Sequence, residues 1–336
     1  MSFEVKTFEG RAGDRAGTVY ELTHGTVRAE VWPQWGFNCV RWQVKQPDGS
    51  WAGVFYTAPD WESNPVPTRS GHPVLFPFPG RLRDGRLPGS AVQLPLNDST
   101  KQHAIHGFTP RNRWRVVGST TGADSAALTG QFRLADDLPD AVGQWPGDFV
   151  LTLTYTLRRD RVRVDARVVN HGTEALPFGI GYHPYFRLPG VTDADIGGHV
   201  LTAHVSKVWA ADAANLPTGE RKPVPPEVDF QQPRPIGAAA LDHVFTSVTA
   251  APADGLVEMA TLTHPAASGR LRVLADPAFR ELVLFTPAHR QAVAIEPYSC
   301  SADASNLQAR GIDSGWLTLT PGATWDAAVE YRWEVN

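Results

Sequence analysis

The sequence predicts an all-β protein built as one large antiparallel β-sandwich. Two consecutive stretches near mid-chain alternate apolar and polar residues with a period of two, the pattern of antiparallel strands with one buried face. Almost no segment sustains the 3.6-residue apolar period of a helix. The 28 prolines and 30 glycines are scattered through apolar runs, as expected for many short strands joined by turns. Because no linker-like change of composition interrupts the chain, we expect a single domain over residues 1–336.

The N-terminal third contains a predicted hairpin and an apolar run that cannot be a central strand. Val27–Trp32 and Asn38–Val44 are β-like runs on either side of a proline- and glycine-containing turn. The run Val74–Leu82 contains two prolines, which lack the N–H group that a fully paired strand needs. We therefore expect this run to cross a sheet edge or the mouth of a cavity. Further strands are predicted at Trp51–Tyr56 and Arg113–Val117.

The clearest alternation lies between residues 148 and 169 and predicts an antiparallel strand pair. Its two apolar sets are Phe149, Leu151, Leu153, Tyr155 and Leu157, and then Val162, Val164, Ala166 and Val168. The last segment of the chain repeats this pattern from Trp325 to Val335. Other strands are predicted at Val200–Val208, Leu256–Thr263, Leu271–Leu274, Glu281–Phe285 and Ala292–Ile295, and one helical turn near Ala304–Ala309.

Composition excludes several classes of partner. The net charge of -4 and the absence of lysine-arginine runs give no indication of nucleic-acid binding. No stretch approaches the roughly 18 apolar residues that span a bilayer, and the first residues lack the apolar core of a signal peptide. The two cysteines, Cys39 and Cys300, are too few for a disulfide framework. We expect a cytoplasmic protein with buried thiols and no membrane partner.

The ten residues Gly179–Leu188 have a composition that a core strand does not need. They place His183 among two glycines, a proline and aromatic residues. Glycine weakens a strand and proline removes a ladder donor, so the stretch predicts a local distortion that directs His183 out of the sheet. The structural alternative is a core histidine bonded to a backbone carbonyl.

Four further polar residues lie in apolar, glycine-containing or proline-containing surroundings: Arg81, His106, Asp242 and Glu296. For the first three, the structural alternatives are a solvated turn arginine, a loop histidine and a turn cap. Glu296 follows the predicted apolar strand Ala292–Ile295 and precedes a proline, so we expect its carboxylate to emerge where that strand ends. Partial desolvation there raises a carboxyl pKa, which suits proton abstraction.

Together, these five residues favour proton transfer on a neutral, polyhydroxylated molecule. They supply a carboxylate base, two imidazoles and an arginine, and the chain has no activated serine or cysteine motif and no phosphate-binding loop. The pair His103 and His106 lacks the helical face and the third ligand that zinc sites use. We therefore expect no metal and no cofactor.

The order of five short motifs resembles that of the aldose 1-epimerases, the galactose mutarotase family. These motifs are Pro77-Phe-Pro-Gly-Arg81, His106-Gly107, His183-Pro-Tyr-Phe186, Leu241-Asp242 and Ile295-Glu296-Pro297. The resemblance extends over nearly the whole chain. It implies a galactose mutarotase-like β-sandwich, called a supersandwich, with an open cleft for a free sugar.

The resemblance also implies a role for each of the five residues. Glu296 corresponds to the general base that takes the proton of the C1 hydroxyl, and His183 to the general acid that protonates the ring oxygen. Arg81, His106 and Asp242 would bind the ring oxygen and the hydroxyl groups. The implied partner is a small sugar, and we expect a monomer or a homodimer.

Two alternatives remain open at this point. The segment from His106 to Arg111 also resembles the hexose-6-phosphate 1-epimerases, in which Arg111 and Arg113 would hold a phosphate as a charged fork. A non-catalytic carbohydrate-binding module would need Arg81 and the aromatic residues, but it would not need both Glu296 and His183.

Overall fold

The computed structural model describes residues 2–335. Its strands are β1 Glu4–Ala12, β2 Arg15–His24, β3 Val27–Trp32, β4 Asn38–Lys45, β5 Trp51–Gly53, β6 Val74–Leu75, β7 Arg81–Arg83, β8 His103–Ile105, β9 Arg115–Thr121, β10 Ala126–Arg133, β11 Phe149–Leu157, β12 Arg161–Asn170, β13 Leu176–Phe178, β14 Gly181–Tyr182, β15 Tyr185–Phe186, β16 Val200–Ala203, β17 Val205–Ala211, β18 Pro217–Pro223, β19 Arg234–Pro235, β20 Asp242–Val248, β21 Val257–Thr263, β22 Gly269–Ala275, β23 Glu281–Phe285, β24 Val293–Tyr298, β25 Leu317–Leu319 and β26 Thr324–Val335. The α-helices are α1 Leu134–Asp137 and α2 Ala304–Ala309, and short 3-10 turns lie at Pro67–Arg69, Thr109–Arg111, Pro139–Ala141, Ile196–Gly198 and Pro226–Val228.

A nine-stranded antiparallel sheet forms one layer of the sandwich. Its strand order is β19-β16-β21-β22-β26-β12-β11-β10-β9. Along β11 every second side chain is buried, which confirms the predicted alternation. The pair β11 and β12 is antiparallel, with Tyr155 opposite Val164, and β26 continues the sheet with Val329 opposite Val164.

An eight-stranded sheet forms the second layer, in the order β18-β17-β20-β23-β24-β14-β6, with β15 also paired to β24. Leu282, Leu284 and Ile295 are fully buried in the same apolar core as the inward side chains of the nine-stranded sheet. Because successive strand residues face opposite sides, Val283 and Glu296 lie on the outer face of the eight-stranded sheet. The all-β, sandwich-type fold class is therefore confirmed.

A buried histidine, His72, joins the two layers: its ring lies 4.8 Å from that of Tyr182 in β14 of the eight-stranded sheet and bonds to the nine-stranded sheet. The Nδ1 atom of His72 lies 2.9 Å from the Tyr155 hydroxyl, and its Nε2 atom lies 2.9 Å from the Tyr331 hydroxyl. Both ring nitrogens of this fully buried side chain therefore have partners, as burial of polar atoms requires.

Several strand predictions are confirmed and others are wrong. The predicted hairpin forms as β3 and β4, the helical turn forms as α2, and β6 lies at an edge of its sheet. Val200–Val208 is not one strand, because β16 and β17 belong to different sheets. The strand that carries Glu296 does not end there, since β24 continues to Tyr298. Within residues 2–335, no helix combines the length and the apolar character needed to cross a membrane.

Candidate active site

A cleft of about 750 Å³ opens on the outer face of the eight-stranded sheet. All five residues singled out in the sequence line it: Arg81, His106, His183, Asp242 and Glu296. They come from β7, the turn after β8, the β14–β15 connection, β20 and β24. The fold therefore brings together residues that are up to 215 positions apart, from 81 to 296.

Glu296 lies on the floor of the cleft with only 1% of its surface exposed. Its Oε2 atom accepts a hydrogen bond of 2.8 Å from the Tyr298 hydroxyl. Burial raises the pKa of Glu296 well above its usual value, and the charge of Asp242 adds to this effect, while the bond from Tyr298 opposes it. The carboxyl group is thus held as a strong proton acceptor.

His183 lies beside Glu296 at an interruption of the sheet. Its backbone N–H donates to the carbonyl of Pro73 at 2.9 Å, rather than continuing the ladder with β24. This is the predicted distortion, and it places the imidazole Nε2 atom 3.3 Å from Oε1 of Glu296. Burial lowers the pKa of His183 to about 3.

The neighbouring tyrosine identifies the protonated ring nitrogen of His183. The Tyr185 hydroxyl donates its only proton to the carbonyl of Thr68, so its oxygen can only accept from Nε2 of His183, 3.4 Å away. Nε2 therefore carries a proton, which it presents to Tyr185 and Glu296. The Tyr185 ring also stacks on the imidazole, with 4.7 Å between ring centroids.

His106 forms the adjacent wall of the cleft, with its ring 5.7 Å from that of His183 in an edge-to-face arrangement. The backbone N–H of Gly80 donates to its Nδ1 atom at 3.2 Å. Because Nδ1 accepts, Nε2 of the neutral ring carries the proton. Burial, followed by the charge of His183, lowers the pKa of His106, which maintains the neutral form.

Arg81 begins β7, directly after Gly80. Its Nε atom lies 3.9 Å from Oδ2 of Asp98. Asp98 is itself buried and accepts hydrogen bonds from the Thr100 hydroxyl at 2.6 Å and from the backbone N–H of His103 at 3.0 Å. Although burial raises the pKa of Asp98, these bonds dominate and lower it to about 2, so a fixed negative charge lies beside Arg81.

Asp242 lies at the rim, at the first residue of β20 and opposite Phe285 of β23. Its side chain is exposed, and Oδ2 accepts a hydrogen bond of 2.7 Å from Asn215. The exposed carboxylate is available to accept hydrogen bonds from hydroxyl groups in the cleft.

Sequence reasoning missed several residues of this site. Tyr298 and Tyr185 touch Glu296 and His183, and neither was among the predicted site residues. Tyr298 follows Glu296 by two positions in a strand and therefore shares its face, a signal that could have identified it. Asp98 and Asn215 lie in polar loops, and nothing in their local sequence distinguishes them from solvated turn residues.

The proposed arginine fork is only partly present. Arg111 lines the cleft, and its buried Nη1 atom has no hydrogen-bond partner among the described residues. Arg113 is exposed and is not a lining residue, so the two side chains do not act on one group as a pair. Residues 2–335 contain no cluster of three or more histidine, cysteine, aspartate or glutamate side chains that could hold a metal ion.

Comparison with known sequences identifies relatives. The sequence model of the family described as aldose 1-epimerase matches residues 18–332. YihR of Escherichia coli is 30% identical over 243 residues, which cover 71% of this chain and 72% of YihR. YphB of the same organism is 25% identical over 324 residues, covering 94% of this chain and 99% of YphB.

Comparison with solved structures identifies the fold. A galactose mutarotase-like protein from Clostridium acetobutylicum superposes with a TM-score of 0.80 at 22% identity, over 99% of both chains. A galactose 1-epimerase from Lactobacillus acidophilus superposes with a TM-score of 0.76 at 19% identity, again over 99% of both chains. The fold is thus galactose mutarotase-like, and with a family model that matches almost the entire sequence, the chain belongs to the aldose 1-epimerase family.

Proposed function

We propose that this protein is an aldose 1-epimerase that interconverts the α and β anomers of a free hexose or a related aldose. The observation that carries the proposal is the buried pair of Glu296 and His183, whose side chains are 3.3 Å apart on the floor of the cleft. Reversible opening of a sugar ring needs one group that accepts a proton and one that donates a proton. This pair supplies both.

The shared proton makes the pair suited to a reversible reaction. Burial raises the pKa of Glu296 and lowers that of His183, so the proton is held more readily by the carboxyl group, 3.3 Å from the imidazole that can receive it. The ring-opening step proceeds from the ion-pair form, in which the shared proton lies on His183: the Glu296 carboxylate takes the proton of the C1 hydroxyl, and the His183 imidazolium gives its Nε2 proton to the ring oxygen. The C1–O5 bond breaks and the aldehyde forms.

Ring closure is the reverse of these transfers. After rotation about C1–C2, the neutral imidazole takes back the proton of the O5 hydroxyl as O5 attacks the other face of C1, and the carboxylic acid returns its proton to the C1 oxygen. The proton count of the pair is the same before and after turnover, so no cofactor is needed to balance the reaction.

The remaining side chains suit the binding of a sugar. Arg81 and the Nε2–H group of His106 are donors that can reach the ring oxygen and its neighbouring hydroxyls, whereas Asp242 is an acceptor. The cleft also has aromatic walls, formed by Tyr185 and Phe285, of the kind that pack on sugar rings.

The decisive experiment is polarimetry of freshly dissolved α-D-glucose and α-D-galactose with wild-type protein, Glu296→Gln and Glu174→Gln. We expect catalysis by the wild type and a loss of at least about 100-fold in Glu296→Gln, the lower range for removal of a general base. Glu174 is exposed and away from the cleft, so its variant should match the wild type. Equal approach to equilibrium with and without the wild-type protein would refute the proposal for these sugars.

One observation favours hexose-6-phosphate 1-epimerase as a second candidate. Arg111 lines the cleft, and a phosphate is a natural partner for its Nη1 atom, which has no hydrogen-bond partner within residues 2–335. Exchange of the anomers of glucose 6-phosphate, measured by NMR, tests this candidate. Activity on the phosphate alone, lost in Arg111→Ala and retained in Arg113→Ala, would support it over the free-sugar epimerase.

A non-catalytic carbohydrate-binding module is distinguished by the same measurements, because it would bind sugar without accelerating anomer exchange. We place the protein in the cytoplasm, where thiols stay reduced. In support of that location, Cys39 and Cys300 are both free and fully buried, and burial raises the pKa of both thiols, which keeps them protonated.

A further inference from the structure

We propose that Tyr298 is a positioning residue for Glu296: it fixes which carboxylate oxygen faces His183 and sets the pH range in which the carboxylate is ionised. This inference rests on the proposed role of Glu296 as the proton acceptor. The Tyr298 hydroxyl donates to Oε2 at 2.8 Å, and the other oxygen, Oε1, is the one that lies 3.3 Å from the imidazole. The two oxygens thus have different partners.

The phenol ring of Tyr298 is held tightly where it lies. The residue is 2% exposed, and Tyr298 pairs with Gly181 across the sheet. A Cβ atom added to Gly181 would lie 2.5 Å from Cδ1 of Tyr298 and 2.7 Å from the Pro79 side chain. The ring therefore occupies the space that a side chain at residue 181 would need, and it lies between Gly181 and the carboxylate that its hydroxyl contacts.

The direction of the hydrogen bond follows from the charges. An ionised carboxylate can only accept, so the tyrosine hydroxyl must donate. Burial, with the charge of Glu296 as the second cause, raises the pKa of Tyr298 well above its usual value, which keeps the hydroxyl protonated. The bond favours the ionised form of Glu296 and opposes the effect of burial on it.

Four other ionisable groups lie near Tyr298 and Glu296, and their effects on the pH profile have to be distinguished from that of Tyr298. Asp242 of β20 and Glu281 of β23 lie on the same sheet face, and His183 and Tyr185 lie across the pair from the β14–β15 connection. Glu281 is directly opposite Tyr298, and burial raises its pKa to about 7. Its Oε2 atom accepts from the indole N–H of Trp209 at 3.0 Å.

The test is the pH profile of kcat/KM for anomer exchange in wild type and Tyr298→Phe, corrected for the uncatalysed rate. In Tyr298→Phe, the Glu296 carboxylate loses one hydrogen bond, so the pKa of Glu296 should rise. The acidic limb of the profile should therefore move to higher pH by about one unit. The plateau rate should fall by less than about 10-fold, because the general base itself is retained. Glu281→Gln should leave the acidic limb in place, since Glu281 does not touch Glu296.

A matched control is available in Tyr182→Phe. The Tyr182 hydroxyl is buried and has no hydrogen-bond partner among the described residues, so its loss should leave the profile unchanged. Gly181→Ala retains the hydroxyl but displaces the ring, and should shift the limb in the same direction as Tyr298→Phe. An unmoved limb in both Tyr298→Phe and Gly181→Ala, or an equal shift in Tyr182→Phe, would overturn the inference. Absence of any catalysis by the wild type would instead refute the proposed function.

Discussion

At the scale of single residues, burial determines the chemistry of the cleft. Glu296 and His183 are 1% and 6% exposed, and the loss of water disfavours the charged form of each. The order of their pKa values is therefore opposite to that of a solvent-exposed glutamate and histidine. Burial thus favours the neutral pair, a carboxylic acid beside an imidazole, over the ion pair.

Asp98 is expected to stabilise the fold through the hydrogen bonds that its buried carboxylate accepts beside Arg81. Replacing Asp98 with Asn puts an amide N–H₂ group among backbone and hydroxyl donors, and should reduce the free energy of unfolding at pH 7 by roughly 1–3 kcal/mol. Because the folded-state pKa of Asp98 is lowered to about 2, its contribution is complete above its unfolded pKa, roughly 4, and is lost as the pH falls toward 2. Urea denaturation at pH 7 and pH 3 measures this change.

The exposed Asp124 provides the control for this prediction. Asp124→Asn should leave the unfolding free energy within about 0.5 kcal/mol of the wild type at both pH values, as is usual for surface substitutions. If Asp98→Asn and Asp124→Asn have the same effect, or if the deficit of Asp98→Asn grows at pH 3, the proposed hydrogen-bond contribution is wrong.

The cleft residues that could be predicted are the polar ones that lie within apolar or glycine-proline stretches of the sequence. A polar side chain in such a stretch is not explained by core packing, which indicates another role. His183 and Glu296 were identifiable in this way. Tyr298 was overlooked, because the strand was predicted to end at Glu296 and the shared face of residues 296 and 298 was therefore not considered. Asp98 was also missed, because its importance comes from donors in a loop whose path only the folded chain reveals.

At the scale of elements, one backbone carbonyl holds the loop that carries His106. The carbonyl of Phe76 accepts from the backbone N–H of Phe108 at 2.8 Å and of Thr109 at 3.3 Å. Gly107 lies against this carbonyl with φ of +64°, and a Cβ atom at residue 107 would come within 2.1 Å of the oxygen. Only glycine satisfies both the close approach and the left-handed conformation.

Gly107→Ala is therefore expected to be strongly destabilising. The atoms it would meet are backbone atoms of Phe76, so the loop must detach, with a loss of roughly 3 kcal/mol or more. Gly89→Ala is the matched control: its φ is +76°, but nothing lies within 4 Å of the added Cβ, so only the conformational cost of about 1 kcal/mol applies. Chemical denaturation of both variants checks this difference, and equal losses would show that the contact with Phe76 does not matter.

The sequence predicted which segments form strands better than it predicted where each strand ends. Pro297 suggested that the strand ends at Glu296, yet β24 pairs with β23 through Pro297, which lies opposite Leu282. On its other side, β24 pairs only at Ala294 and Val293 with β15 and at Tyr298 with β14. The proline lies where that ladder is interrupted, a position in which a missing N–H is tolerated. No local pattern reveals such a gap, because it depends on a distant segment.

At the scale of the whole molecule, the two main sheets meet around the imidazole of His72. The Tyr155 hydroxyl donates to the backbone carbonyl of His72 at 3.3 Å and so accepts from Nδ1–H, which leaves Nε2 to accept from Tyr331. A second ring proton would face the donating Tyr331 hydroxyl inside the core. Burial lowers the pKa of His72 to about 3.

This histidine should make the fold sensitive to acid. Its unfolded pKa is about 6.5 and its folded pKa is about 3, so the unfolded state binds the extra proton between these values and stability falls as the pH is lowered through that window. The contribution to the slope is about 1.4 kcal/mol per pH unit. His72→Phe should be less stable at pH 7 but should show a shallower decline from pH 6 to pH 4, measured by urea denaturation.

His171→Asn is the control for this slope. His171 is exposed, with 54% of its side-chain surface accessible, so its removal should leave the pH dependence unchanged. An identical slope in wild type and His72→Phe would contradict the assignment of acid sensitivity to the layer-joining histidine.

The N-terminal five-stranded sheet, β1 to β5, was only partly predictable: β3, β4 and β5 were predicted from the sequence, whereas β1 and β2 were not. Most side chains of β1 are exposed, so β1 lacks the apolar alternation that identified β11 and β12. The pair β11 and β12 was predictable because each strand has one buried face and one partly exposed face. The strands β1 and β2 depend on pairing between chain neighbours, which leaves little trace in hydrophobicity.

The location of the cleft on the outer face of the eight-stranded sheet has a consequence for protein engineering. Along β20, β23 and β24, alternate positions either fill the core or line the cleft, as in the sequence Val283, Leu284, Phe285. The lining positions can therefore be varied without changing the packing between the two main sheets. A combinatorial library at Val244, Val283 and Phe285 should retain that interface while it changes the shape of the cleft and the contacts that Val283 makes with Leu75 and Tyr298, which makes this sheet a practical scaffold for directed evolution.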